Sequence, residues 1–234
     1  MVVLSKSNLD ELANVVLSDF YSGAWPEFEP IDIDRLAAEY LNLTVCYENL
    51  SSDGSILGVA AYGGCTLALP HIQIDLCPGM VLLDRSLISE DKATYPLEGR
   101  RRFTLAHECA HQILYRYESA ISQEQICRPY SQRRAFSLRE LKTHEDWNEW
   151  QANALGAALL MPKKLLDRSL FTFTNGEKLA CFAGSLSPEG YKCLDNMSRF
   201  LGVSRTALMI RLKYFDYLEE RRARESFDPL DAVL

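Results

Sequence analysis

The sequence predicts an α+β fold, with a small, largely antiparallel sheet packed on two long helices and a helical segment at the C-terminal end. Three observations carry it. Between Leu43 and Leu83 four short runs rich in β-branched and aliphatic residues are cut apart by Asp53-Gly54, Gly63-Gly64 and Pro78-Gly79, and connections this short suit hairpins better than crossover helices. Around Arg100–Tyr117 and His144–Met161 the apolar residues recur at helical spacing. Near the end, Tyr191–Leu201, Gly202-Val203-Ser204 and Arg205–Tyr217 read as helix, turn, helix.

In chain order, residues 1–22 form an amphipathic helix with Leu9, Leu12, Val16 and Phe20 on one stripe, broken by Gly23-Ala24-Trp25-Pro26. Pro30–Leu41 is a second helix burying Ile33, Leu36, Ala37 and Tyr40, with Asn42 as its stop. The strands are Leu43–Tyr47, Ile56–Ala60, Cys65–Leu69 and Met80–Leu83. His71, in a Leu-Pro-His-Ile turn, is a surface or edge residue. Gly99 precedes the first long helix. Glu118–Thr143 is polar and weakly periodic, a partly helical excursion that serves either as a wall for a substrate or as a surface loop. After Pro162 a short helix to Leu170 leads into an irregular stretch, Phe171–Ser187. The implied division is a helical extension over 1–30, a main domain over 31–187 and a helix-turn-helix-like segment over 188–234, with 225–234 as a tail.

The 234 residues carry 32 acidic against 25 basic side chains, a formal charge of −7, so bulk electrostatics do not hold this chain to nucleic acid or an anionic membrane. The N-terminal residues lack the unbroken apolar core of a signal peptide, and the longest apolar run, Ala154–Pro162, is far short of the roughly 18 residues of a membrane span. Seven cysteines without paired spacing suit a reducing compartment. The expectation is a cytoplasmic protein.

The chemistry lies in Arg101-Arg102-Phe103-Thr104-Leu105-Ala106-His107-Glu108-Cys109-Ala110-His111, a His-Glu-x-x-His motif on an amphipathic helix. His107 and His111 stack on one face and can reach a single metal ion, with Glu108 beside them. A catalytic zinc site takes three protein ligands and leaves the fourth position for water, whose pKa falls toward about 7. A carboxylate such as Glu108 can then act as general base. Cys109 points away and packs against the core. A third ligand is expected from the second long helix, where spacing leaves Glu145, Glu149, Asn153 and His144 open; Glu145 and Asp146 also suit a solvated acidic helix start.

Arg102-Phe103-Thr104-Leu105-Ala106-His107-Glu108-x-x-His111, followed by Glu149-x-x-Ala152-Asn153-x-x-x-Ala157-x-x-Leu160-Met161-Pro162, resembles the ImmA/IrrE family of metallopeptidases over roughly residues 30–215. The resemblance implies a zincin-like fold with His107, His111 and Glu149 as zinc ligands and Glu108 as general base. It also implies limited proteolysis of a helix-turn-helix repressor as the activity. Cys109 and Ala110 stand where the family often has an apolar residue and glycine, and the 118–143 excursion is individual, so substrate choice does not carry over.

Within that reading Asn153 orients Glu149 from one turn away, and His144, Tyr115 and Tyr130 are the candidates to stabilise the oxyanion. Zn²⁺ is the expected metal, and two nitrogens and an oxygen also accept Mn²⁺. The competing reading is a metal-stabilised interaction module that binds a regulator without cutting it, which has no need of Glu108. In the C-terminal segment, Leu208, Leu212 and Phe215 face inward, and Arg205, Arg211 and Lys213 are the side chains available to DNA. They are too few for a convincing reader of base edges and phosphates, so docking of a protein partner or plain packing is the expected role.

Overall fold

The computed structural model of the protein describes residues 3–26, 29–88, 95–115, 127–131, 143–182 and 184–221, with the backbone alone for 95–96, 127–131 and 144–145. Helix α1 (Lys6–Phe20) starts at Ser5, whose hydroxyl accepts from the Asn8 N–H while the Asn8 side chain accepts from the Ser5 N–H. That reciprocal cap satisfies two donors the first turn cannot. Leu9 and Val16 are buried as the stripe predicts, together with Ala13 and Leu17, while Leu12 and Phe20 pack at the margin of the core. The second helix begins later than Pro30. Asp32 caps it by accepting from the Arg35 N–H, and α2 (Ile33–Arg35) continues as a π-helical turn, Leu36–Tyr40. Asn42, with φ of 55°, ends it in the left-handed conformation that asparagine tolerates.

The main sheet has the order β1-β5-β2-β6, built from β1 (Thr44–Glu48), β2 (Ile56–Ala61), β5 (Met80–Asp84) and β6 (Cys127–Ser131). β2 is antiparallel to both its neighbours, but β1 and β5 run parallel. The reason is the intervening hairpin of β3 (Cys65–Ala68) and β4 (Gln73–Leu76), which returns the chain to enter β5 in the direction of β1. Cys65, Leu67, Ile74 and Leu76 of that hairpin pack with Ile56, Val59, Ala61 and Leu82 in a small core of their own. Leu57, Val81 and Leu83 instead join the main core. The β2–β6 register shifts between Ile56 and Gly58. This bulge leaves Leu57 as an extra residue on β2, so Leu57 and Gly58 both face the helices. β6 and Thr143 are the described parts of the predicted excursion; the rest lies outside the described residues.

Helix α3 (Tyr95–Tyr115) packs between this sheet and α4 (His144–Leu160), and α4 is backed by α1. The expected start of α3 after Gly99 is corrected: Gly99 lies inside the helix. A Cβ there would come within 3.1 Å of the Val203 carbonyl carbon and the Ser204 nitrogen, so this glycine serves a close approach rather than a break. Beside it the buried Arg102 guanidinium donates to the carbonyls of Ile31 at 2.6 Å and Gly202 at 3.0 Å, joining α3 to both ends of the chain.

Helix α5 (Lys163–Thr174) runs past Leu170 to Asn175, which closes it in the left-handed region. The stretch expected to be irregular holds β7 (Leu179–Phe182) and β8 (Ser185–Leu186), which form a sheet of order β8-β7-β9 with β9 (Leu218–Glu220). Strands this short show too little alternation to be read. α6 (Pro188–Leu201) ends at Gly202, with φ of 63°, and Ser204 caps α7 (Arg205–Tyr214) by accepting from the Ala207 N–H. Leu208 and Leu212 are buried as expected, and Phe215 packs on the margin of the core. Arg205 is engaged by Asp195 at 2.5 and 2.8 Å. Arg211 is buried, donating to the Met161 carbonyl and paired with Asp10. The tail from 222 onward lies outside the described residues. Among the described residues no helix is long and apolar enough to cross a membrane.

Candidate metal centre

Helix α3 carries His107, Glu108 and His111 into the core, where their exposure is 0–1%. The two imidazoles meet edge to face, with ring centroids 4.5 Å apart and Nε2 atoms 2.9 Å apart. Opposite them, Glu149 of α4 places Oε2 3.3 Å from His107 Nε2 and Oε1 3.1 Å from His111 Nε2. One ligand atom from each of these residues falls within 4.8 Å of the other two.

That convergence depends on how closely the helices approach. Ala106, Ala110 and Ala152 are fully buried, and a Cβ on Gly156 would lie 3.1 Å from both the Ala106 carbonyl carbon and the His107 nitrogen. The start of α4 is fixed by a second reciprocal cap, in which Thr143 Oγ1 accepts from the Asp146 N–H and Asp146 Oδ2 from the Thr143 N–H. Asp146 is therefore a cap. Of the four residues that spacing leaves open for a third ligand, the structure brings Glu149 to the histidines. Asn153 hydrogen-bonds His107, and the side chains of His144 and Glu145 lie outside the described set.

Burial, reinforced by the facing His111, pushes the His107 pKa down to about 4, so this imidazole is neutral at ordinary pH. Burial alone would raise Glu149, but its hydrogen bonds to His107 and His111 hold the carboxyl well below the usual range. Neutral imidazole and ionised carboxylate are the states in which these groups ligate a cation. Two imidazole nitrogens turned toward each other and toward a carboxylate form a donor set that fits a metal ion. Glu108 fits it as well. Neither of its oxygens has a hydrogen-bond partner, and the same holds for His111 Nδ1. Burial first, and the nearby Glu149 charge second, raise the Glu108 carboxyl well above the ordinary range. A partnerless buried carboxyl is costly in a protein core, and its position beside the cluster gives it a use.

Cys109 is fully buried and its thiol is pushed up by burial, which suits packing rather than ligation. Of the oxyanion candidates, Tyr115 stacks on Tyr62 with centroids 4.3 Å apart and rings 9° from parallel; the side chains of Tyr130 and His144 are outside the described set. The sequence reading passed over Gln112, which donates to the Ala61 carbonyl at 3.0 Å and ties α3 to β2. It also passed over Gly58, a glycine inside a strand pattern, which can mark a close approach.

A mixed sheet over a helix-borne His-Glu-x-x-His, completed by a carboxylate from the next core helix, is a zincin-like arrangement and places the protein among the metallopeptidases. The sequence matches the M78 peptidase family model, described as the IrrE N-terminal-like domain, over residues 96–213. The chain belongs to that family. The matched span runs from the start of α3 into the last turn of α7. A comparison with curated proteins finds no match.

Proposed function

We propose that the protein is a zinc-dependent endopeptidase that cuts a regulatory protein at a limited number of positions, with a helix-turn-helix repressor as the substrate and the cytoplasm as its setting. The observation that carries this reading is the convergence of His107, His111 and Glu149 beside a buried, partnerless Glu108. His107, His111 and Glu149 hold the ion, for which manganese is the alternative to zinc. When bound, the ion supplies Lewis acidity toward a water and the scissile carbonyl. With the bound cation's charge beside it to favour the ionised carboxylate, Glu108 would accept the proton of the attacking water and return it to the leaving amine. Asn153 holds the His107 ring in place.

The repressor as substrate rests on the family resemblance, and Glu108 is what favours an enzyme over a module that merely grips a regulator. Two measurements test the proposal. Elemental analysis should find about one zinc per chain, as a single site of this kind requires, and Glu149→Ala should lose most of it. A co-purifying partner should be cut by the wild type, spared by Glu108→Gln and spared after chelation. A partner left full length by the metal-loaded wild type would overturn the peptidase reading in favour of the module.

A further inference from the structure

Strand β2 passes directly over Glu108. A Cβ built on Gly58 would lie 2.3 Å from Glu108 Oε1, 2.9 Å from its Cδ and 3.0 Å from its Cγ. The backbone of Gly58 is not in the left-handed region, so its conformation alone would accept any residue; only space excludes a side chain. Glycine weakens a strand, and here the weakness has a counterpart in the room it leaves.

Two features keep that room where it is. The bulge at Leu57 sets the phase of β2 so that Gly58 faces α3, whereas regular alternation from Ile56, which packs on the outer face, would turn position 58 the other way. One turn beyond Glu108, Gln112 donates to the Ala61 carbonyl at 3.0 Å, which fixes the distance between strand and helix. With strand and helix both held, a methyl group at position 58 would have to displace the Glu108 carboxyl.

We propose that Gly58 is a positioning residue for Glu108: the bulged strand offers the carboxyl a place without side chains, and that empty place keeps it beside the metal ligands. The inference rests on the peptidase reading for the use made of Glu108, but not for the contact itself. The nearest atoms to the missing side chain all belong to Glu108, so Gly58→Ala moves the general base and leaves His107, His111 and Glu149 in place.

The test is a set of variants of the full chain loaded with zinc, read by thermal unfolding and by zinc content. Gly58→Ala is made in the wild type and in the Glu108→Gln and Glu108→Ala backgrounds. In the wild type it should lower Tm by about 2–8 °C, the effect expected of overpacking in a chain this size. In Glu108→Gln, which keeps the shape of the side chain, the loss should persist. In Glu108→Ala, which empties the space, it should fall to less than half. Zinc content should match the wild type throughout. An equal loss in the Glu108→Ala background would show that Gly58 is needed for something other than this carboxyl and would overturn the inference, as would no Tm change in any background or loss of zinc from Gly58→Ala. None of these readouts uses a substrate. Failure here is therefore distinct from failure of the peptidase reading, which shows as a wild type that cuts no partner.

Discussion

Replacing Glu108 by glutamine should stabilise the metal-free protein, and by an amount that grows with pH. The side chain is fully buried, neither oxygen has a hydrogen-bond partner, and burial with the Glu149 charge raises its carboxyl well above the ordinary carboxylate value of 4.5. Above that value the unfolded chain has shed the proton that the folded chain still holds, so raising the pH favours unfolding until the folded-state pKa is passed. Each pH unit in this window costs the wild type about 1.4 kcal/mol relative to a variant that cannot ionise. From the ordinary carboxylate value upward the advantage of Glu108→Gln should widen at that rate until the folded-state pKa is reached, which for a domain of this size is about 3–6 °C in Tm per pH unit. The assay is thermal unfolding of both metal-free proteins in steps of half a pH unit at constant ionic strength. An advantage that stays flat with pH would show that the carboxyl ionises as readily folded as unfolded, and would refute the description of Glu108 as a buried, partnerless acid.

Other substitutions probe how the centre is held together. Gly156→Ala places a Cβ 3.1 Å from backbone atoms of Ala106 and His107, which cannot swing aside as a side chain can; α4 should be wedged off α3 at a cost of about 1–3 kcal/mol, with zinc affinity, measured by chelator competition, falling at least ten-fold. Arg102→Ala leaves the carbonyls of Ile31 and Gly202 without their guanidinium donor and should cost about 2–4 kcal/mol in urea unfolding, with faster hydrogen exchange at the start of α7. His107 is held neutral down to about 4 while an unfolded histidine takes up its proton near 6.5, so between those values it opposes the gain that Glu108 gives on acidification; His107→Gln should therefore gain stability relative to the metal-free wild type as pH falls through that window, read as the difference between the two denaturation midpoints. Arg205 and Arg211 are already paired with Asp195 and Asp10, so the full chain should not retard duplex DNA at about 0.15 M salt, where exposed phosphate contacts alone still give weak binding.

The parts of this fold that were legible in the sequence are those with a repeating period or a mechanistic motif. Helices α1, α3 and α4 and strands β1, β2 and β5 each carry enough residues for a period to show, the four residues of β3 were marked out by the Gly63-Gly64 pair before them, and His107, Glu108 and His111 are fixed by spacing on one helix. Glu149 was harder. It lies in a different helix, and local spacing left His144, Glu145 and Asn153 equally open; only the family motif chose it, and only the packing of α4 on α3 brings its oxygens within 3.1–3.3 Å of the two histidines. The strands β4, β7, β8 and β9 hold two to four residues each, and β6 sits in a polar stretch and contains Pro129, so pattern had little to act on. Gly99 misled because a glycine at the edge of a helical pattern usually marks a boundary; here its signal came from Val203 and Ser204, more than a hundred residues away.

Gly58, Gly99 and Gly156 share a logic that links these readings to the site. Each lies in regular secondary structure, none has a positive φ, and each faces another part of the chain at a distance that a Cβ could not share at Gly58 and would share only tightly at Gly99 and Gly156. Gly156 brings the carboxylate of α4 to the histidines, Gly58 leaves room for the carboxyl between them and the sheet, and Gly99 lets the α6–α7 turn close over the start of α3. Helix α3 is therefore approached closely from three directions, and the residues it carries inward have little room to relax. The cost is visible in Glu108 and in His111 Nδ1, which are buried without hydrogen-bond partners. Substitutions that relieve that cost, such as Glu108→Gln, should raise stability while removing the group on which the proposed chemistry depends, the trade-off expected of a functional site.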